Sequence, residues 1–425
     1  MARRQPARQR RAPRPRPSAV RLTLRGWIFL VSAIGLAVLA YTTGNQQVLL
    51  VALLLVSLLV AASVLVRVRR LRLAATRSVE PAVVAAGTTA RVTLVVRNLS
   101  TVRAAAASWS DSLPWPPHTS PPGCLPALAR ARASAGNTAT VTYQLTPPAR
   151  GVVEIGPLRI DTADPFRLVR CTSTVAGRED LVVAPRVYQL ESGALSSASG
   201  DGSVVAIQRS TTGNEDDLMT REYRRGDALR RVHWRASARH GELMVRQEEQ
   251  RSLPVARVLI DTQRTGYPDA AGGRATATTS ECFEWVVSMA ASLGVHLVDS
   301  GYGLQVVESG ARQLEPVTST VGLLAGLAGI ALCEPRGATE AGKSGGGPMF
   351  AIVASPTDDT IEWMLRQRKP YDRAAALLVG SPAHVVERFA LAGWQYQAVE
   401  PNDDPATVWR RLLAQGAEVR TRGSS

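Results

Sequence analysis

Two apolar runs stand near the start of the chain, Trp27 to Tyr41 and Val48 to Val66, and neither holds an ionisable side chain within its membrane-depth core. The second is long enough to cross a bilayer as a helix, and the first is adequate once Gly26 and Thr42 are counted with it. Only the uncharged stretch Thr42 to Gln47 separates them. The pattern therefore predicts an antiparallel transmembrane hairpin over residues 21–72. From Ser78 to about Gln189 the period shortens to two, in Arg91 to Arg97, Thr138 to Leu145, Val152 to Ile155, Leu158 to Ile160 and Leu181 to Ala184. Short alternating runs broken by Gly and Pro predict an immunoglobulin-like β-sandwich over 76–190. The aromatic and Pro cluster Trp109 to Pro122 reads as a loop covering one end of that sandwich, with an extended docking segment as the alternative. Ser, Gly and Ala then dominate 191–217, a linker or long loop.

Beyond residue 252 apolar strands alternate with amphipathic helices. The predicted order is strand Val255 to Ile260, helix Thr278 to Leu293, strand Val295 to Val298, helix Thr318 to Leu332 and strand Phe350 to Ala354. It continues with helix Asp358 to Gln367, strand Ala374 to Val379, helix Ala383 to Ala392, strand Tyr396 to Val399 and helix Pro405 to Gln415. Alternation of this kind predicts a mostly parallel, doubly wound α/β domain over 252–425. The fold class is thus α+β and multidomain. In a doubly wound sheet chemistry collects at the carboxyl ends of the strands, and Asp261 sits at such an end.

The net charge of +15 over 425 residues raises the question of nucleic acid. Its distribution answers otherwise. Seven Arg fall in the first sixteen residues, within a Pro-rich basic tail over 1–20, and Arg21, Arg25, Arg67, Arg69, Arg70 and Arg72 flank the apolar runs. The positive-inside rule then places both termini and the soluble domains in the cytoplasm, with the hairpin in the plasma membrane. No nucleic-acid partner is expected, the basic tail being the one route to it. A hairpin without intramembrane ionisable groups is an anchor, not a transport path. Cys124, Cys171, Cys282 and Cys333 show no metal-ligand spacing and read as small buried apolar residues.

The segment 218–251 has a different character, with nine Arg against five acids between Arg221 and Arg251, mixed with Tyr223, His233 and Trp234. Arg224-Arg225-Gly226-Asp227 reads as a turn, followed by a short helix to about Arg239, a stop at Gly241 and a strand from Leu243 to Val245. Arg, Tyr and Trp concentrated in this way usually bridge something, either two parts of the chain or an outside partner. Arg221, Tyr223, Arg224, Gly226, Asp227, Arg230, His233, Trp234 and Arg239 are the candidate interaction residues.

The run Arg221 to Asp227, followed by Arg230, His233-Trp234 and Ala238-Arg239, resembles the signature of the bacterial family called domain of unknown function 58. Arg150-Gly151, Gly156-Pro157 and Asp164-Pro165-Phe166 resemble that family's other recurrent block, which usually continues with Gly where this chain has Arg167. The resemblance implies a membrane-anchored protein working beside a MoxR-type AAA+ ATPase in complex assembly or cell-envelope maintenance. Leu259 to Thr265 also resembles the first strand and metal loop of a von Willebrand factor type A domain. Asp261 and Thr265 match its outer ligand positions, while Gln263 replaces a Ser and Arg264 adds a cation. The resemblance implies Mg²⁺ at Asp261 and Thr265, the residues favour Asp261 ordering its own loop, and no cofactor is otherwise expected. Gly337 to Ser344 has Walker A spacing, yet a helix precedes it and a strand follows, the reverse of what a phosphate loop needs. The functional expectation is an interaction or scaffold protein. A metal- or anion-dependent enzyme at Asp261 is the alternative, and nucleic-acid binding through the basic tail a second.

Overall fold

A computed structural model describes residues 19–68, 72–133, 135–192, 220–223, 232, 234–246, 254–270, 280–335, 346–368, 371 and 373–423. The chain divides into two compact units, residues 1–185 and 186–425.

The first unit opens with strand β1 (Ala19–Leu22), then helices α1 (Leu24–Thr43) and α2 (Gln46–Val68). The Thr23 side chain caps α1 by accepting from the Gly26 amide, and Gly44 ends it at φ +66. Both helices are long and apolar enough to cross a membrane, and large apolar side chains such as Ile28, Val31, Leu54 and Val60 lie exposed along them. Trp27 stands one turn inside the start of α1 and Tyr41 near its end, where aromatic residues meet the two bilayer surfaces.

Ten strands follow in this unit: β2 (Leu73–Glu80), β3 (Val84–Ala85), β4 (Ala90–Asn98), β5 (Ala107–Asp111), β6 (Gly123–Leu125), β7 (Thr138–Leu145), β8 (Gly151–Ile155), β9 (Leu158–Ala163), β10 (Val169–Ala176) and β11 (Glu179–Ala184). They form three sheets, ordered β1-β10-β9-β5-β6, β3-β11-β8 and β2-β4-β7. In β4 every second residue, Ala90, Val92, Leu94, Val96 and Asn98, is buried, as a strand with one covered face requires. Side chains from all three sheets meet in one apolar core.

A charged group lies inside that core. Arg77 on β2 donates to both carboxylate oxygens of Asp111 on β5, at 3.0 and 2.9 Å, and neither side chain is accessible to solvent. Tyr143 on β7 donates to Asp111 at 2.8 Å, and Glu179 on β11 stands 3.5 Å from the guanidinium. The cluster therefore ties the three sheets together. Burial, and then the Asp111 charge, push the Tyr143 phenol well above its ordinary pKa. Gly156 makes room, since a Cβ there would stand 2.9 Å from Arg77 Nη2 and 2.6 Å from a backbone oxygen.

The cluster Trp109 to Pro122 is not wholly a covering loop. Its first three residues complete β5, with Trp109 buried and its ring 5.7 Å from that of Tyr143. The alternation Ala107, Trp109, Asp111 is a strand signal, masked because its third inward residue is a carboxylate.

In the second unit strands β12 (Thr220–Glu222) and β13 (Met244–Arg246) pair antiparallel, and helix α3 (Trp234–His240) lies between them in sequence. The unit continues with β14 (Val255–Ile260), α4 (Glu281–Asp299), β15 (Gly303–Glu308), α5 (Thr320–Gly329), β16 (Gly346–Val353), α6 (Asp358–Gln367), β17 (Ala374–Val379), α7 (Ala383–Leu391), β18 (Gln395–Val399) and α8 (Pro405–Gly423). All neighbours in the sheet β15-β14-β16-β17-β18 are parallel. Val258, Ile260, Phe350 and Ile352 pack with α4, α5 and Trp409 of α8, whereas Leu259, Met349, Ala351 and Val353 pack with Ile361, Met364, Val385 and Phe389 of α6 and α7. Helices thus cover both faces, as the alternation predicts.

Several boundaries differ from the sequence reading. Val295 to Val298 is the last turn of α4, not a strand, because Phe283, Val286, Val287, Ala290, Leu293 and Leu297 keep a helical burial period through it. Gly294 does not break that helix, and its missing Cβ leaves space for Leu323. The strand comes later, as β15. Although α4 is also long and apolar enough to span a membrane, the sheet and α5 surround it. Val232 is not helical but bridges Val245 and is buried, so α3 begins only at Trp234 and ends at Gly241, φ +73. Tyr188, read as the end of the first β region, belongs to the second unit, where its amide donates to Ser292 on α4, and Glu191, read as linker, accepts from the Trp409 indole at its carbonyl. The linker from 193 to 217 and the Walker-like run Gly337 to Ser344 lie outside the described residues.

Replacing either Arg77 or Asp111 by Ala strands the other charge in the core, at a cost of about 3–5 kcal/mol. Thermal unfolding of the full-length protein in detergent should show that loss for each single variant and a smaller additional loss for the double variant.

Candidate functional site

Two places combine polar chemistry with position. The first follows from the sheet order. The chain leaves β14 toward β15 on one side and reaches β16 on the other, so the carboxyl end of β14 is the topological switch point of the sheet. Asp261 is the first residue beyond that strand and is fully buried. Its Oδ1 accepts from the Ser309 hydroxyl at 2.5 Å and from the Gln263 amide at 3.1 Å, an Asx turn closed by a side chain from the neighbouring strand end. Ser309 accepts in turn from the Thr262 amide, and its carbonyl accepts from the Gln263 side-chain amide. The Tyr267 hydroxyl donates to the Asp261 carbonyl at 2.6 Å, and the Ser355 amide beyond β16 donates to Gly266. Cys333 joins through a backbone bridge to Gln263 and by donating its amide to the Thr262 carbonyl at 2.9 Å, with Gly310 leaving room for its sulfur. Loops following three adjacent strands are thereby stitched together.

Burial raises the Asp261 pKa, against the hydrogen bonds from Ser309 and Gln263, which lower it. Its Oδ2 is buried without a hydrogen-bond partner among the described residues. Gly266 lies directly against that oxygen, and a Cβ there would stand 2.1 Å away. Thr265 is exposed in the 3₁₀ turn Arg264–Gly266 and makes no side-chain hydrogen bond among the described residues. Arg264 is partly exposed, 3.6 Å from Glu334. Mg²⁺ takes close to six oxygens in octahedral array. Here one carboxylate oxygen faces a glycine backbone, the other is engaged by Ser309, and no group of three or more His, Cys, Asp or Glu is gathered among the described residues. The side chains at Asp261 and Thr265 do not fit a divalent ion. The residue that completes the site is Ser309, which sequence reasoning missed. Its signal was its place one residue past a parallel strand, hidden once that strand was sought at Val295 to Val298.

The second place is the signature segment. Arg221 lies in β12 opposite Val245, the Tyr223 amide donates to the Leu243 carbonyl at 2.7 Å, and the Ser237 hydroxyl accepts from the Met244 amide at 2.8 Å, holding α3 to β13. Tyr223 is half-buried, Arg239 is exposed, and Trp234 at the start of α3 is 70% exposed. Arg224, Gly226, Asp227, Arg230 and His233 lie outside the described residues.

Residues 219–336 match the family model described as "Protein of unknown function DUF58", which supports the family read from the signature. No curated protein matches. Among solved structures, the CARDB domain of the PF1109 protein from Pyrococcus furiosus, in complex with di-metal ions, is 16% identical over 27% of this chain and 88% of its own, with a TM-score of 0.20. A structural-genomics target known only as such is 10% identical over 28% of this chain and 93% of its own, with a TM-score of 0.19. A cycloisomaltooligosaccharide glucanotransferase from Paenibacillus sp., complexed with cycloisomaltoheptaose, is 13% identical over 76% of this chain and 52% of its own, with a TM-score of 0.19. Likenesses at these scores carry no argument about fold or activity.

The raised pKa of Asp261 sets a pH dependence. The folded protein holds this proton more tightly than the unfolded chain, where an aspartate titrates near pH ~4. The associated stability is present below that value and is lost as pH rises through the folded pKa. Thermal melts of the full-length protein should show Asp261→Asn gaining on the parent as pH rises from about 4 to about 7. A constant difference across that range would mean that Asp261 titrates alike in both states. Gly266→Ala should cost about 1–3 kcal/mol through overpacking against Oδ2.

Proposed function

We propose that this chain, whose residues 219–336 match the DUF58 family model, is a membrane-anchored interaction or scaffold protein that works with a MoxR-type AAA+ ATPase. The observation that carries the reading is Trp234, 70% exposed on a short helix within the signature segment. A large indole left in water, among the Arg-rich residues of 221–251, fits a docking residue better than an internal latch. The partner's identity rests on the family resemblance alone, and complex assembly or cell-envelope maintenance is the setting it implies. The same reading takes the three-sheet core of the first unit as an immunoglobulin-like sandwich and the parallel sheet of the second as von Willebrand type A-like. The Arg residues flanking α1 and α2 favour cytoplasmic soluble units. Metal-dependent chemistry at Asp261 is the weaker reading, since its polar groups are spent on one another.

Mild crosslinking in native membranes, affinity isolation and mass spectrometry test the proposal. A stoichiometric AAA+ ATPase should be recovered, and Trp234→Ala should reduce its affinity about thirtyfold, as loss of an anchoring aromatic worth about 2 kcal/mol does, with the melting temperature unchanged. Asp227→Arg should likewise abolish recovery. Absence of an ATPase would sink the partnership, and a fall in melting temperature with either variant would favour the latch.

A further inference from the structure

The turn Asp164 to Leu168 joins β9 to β10 at the end of the hairpin where both helices leave the apolar region. Its position is fixed by direct contact. The Thr23 amide donates to the Leu168 carbonyl at 2.9 Å and the Thr23 hydroxyl to the Arg167 carbonyl at 2.6 Å, and β1 pairs with β10 from Ala19 to Leu22. Gly26 lets this carbonyl approach α1, for a Cβ there would stand 2.2 Å from it. Leu168, Val169 and Cys171 then pack with Leu59, Ala62 and Val66 of α2. The turn is therefore held within about one helical turn of Trp27, at the level of a bilayer surface.

The turn is also built to present two side chains. Asp164, buried, accepts from the amides of Phe166 at 2.9 Å and Val169 at 2.6 Å. Above this staple Phe166 is left 59% exposed. Arg167 follows at φ +55, a left-handed conformation that glycine takes without strain and other residues seldom adopt. A strained backbone thus carries a cationic side chain beside an exposed ring. Arg21 on β1, Arg25 in the first turn of α1, Arg67 in the last turn of α2 and Arg170 on β10 are all exposed nearby, and Arg21 and Arg170 are register partners. Among the described residues the acid paired with this set is Asp161, 4.0 Å from Arg170.

We propose that this turn is a membrane-interface clamp in which Phe166 enters the headgroup layer and Arg167, with Arg21, Arg25, Arg67 and Arg170, binds the phosphates of anionic phospholipids. The occupant follows from continuity with the membrane helices and from the excess of arginine over carboxylate. An exposed ring beside cations is the pairing that inserts at such a surface. The inference rests on the anchoring of α1 and α2 in a membrane, and its test separates the two.

Full-length protein is placed in lipid nanodiscs with photoreactive phosphatidylglycerol or phosphatidylcholine, carrying the reactive group near the head or in the tail, and the labelled peptides are mapped. The head-labelled phosphatidylglycerol probe should mark residues 159–172 in preference to phosphatidylcholine, and Arg167→Gly and Arg170→Ser should each weaken that labelling about fivefold. Phe166→Ser should weaken labelling by both lipids. Glycine is at ease at the Arg167 position, so Arg167→Gly keeps the turn and its melting temperature is the check on folding. Equal labelling by the two lipids, or labelling unchanged in the variants, overturns the clamp if tail probes still mark α1 and α2. Tail probes that fail to mark α1 and α2 overturn the anchoring itself, and the clamp with it.

Discussion

Removing a carboxylate from water costs several kcal/mol unless donors replace the lost hydration, and this chain meets that constraint at Asp111, Asp164 and Asp261. The three solutions differ, and the differences set what each region can do. Asp111 receives a guanidinium and a phenol from other strands, so its charge fastens sheets that only an apolar core would otherwise join. Asp164 receives backbone amides from its own turn and fixes local conformation in place of long-range packing. Asp261 receives one hydroxyl and one amide, leaves an oxygen without a partner, and has its pKa raised. Glu308 follows the second pattern, accepting from the Gln313 and Leu314 amides to shape the loop after β15.

Those inward acids also explain where the sequence was readable and where it was not. The apolar runs of α1 and α2, the alternation in β4 and β7, and the boundaries of α6 and β17 follow directly from period and composition, because no charged residue is buried there. Strand β5 escaped because Asp111 points inward among Ala107 and Trp109, and polarity was taken for exposure. Strand β2 escaped because Arg77 does the same. The β15 register was lost because α4 continues through Gly294 to Asp299, its last turn made of residues that suit a strand equally well. Once that strand was misplaced, Ser309 had no reason to be paired with Asp261 across 48 residues. Of the signature segment, sequence chemistry marked both Trp234 and Tyr223 as bridging residues, internal or external, and the fold separates them by exposure, with Trp234 largely in solvent and Tyr223 half-buried.

The first unit joins its helices to its sheets by more than a covalent link. Strand β1 precedes α1 and pairs with β10, while α2 packs on residues of the same strand. A β-unit attached to a helix by one flexible connection would be free to swivel, whereas this one is gripped on both sides of the hairpin. Gly26 is the residue that permits it, since any side chain there would displace the Leu168 carbonyl and open the junction. The Arg77 cluster then links the sheet held by the helices to the other two.

At the switch point the polar groups have been turned inward. In this chain the Gln263 amide is directed to the Ser309 carbonyl, the Ser309 hydroxyl to Asp261, and Gly266 closes on the oxygen that remains. The Gln263 and Ser309 side chains and Asp261 Oδ1 are engaged with one another, Oδ2 is closed off by Gly266, and Thr265 stands in solvent. These contacts order the place where the loops from β14, β15 and β16 meet. Among the described residues of the signature segment, the indole of Trp234 is the large apolar group left in solvent.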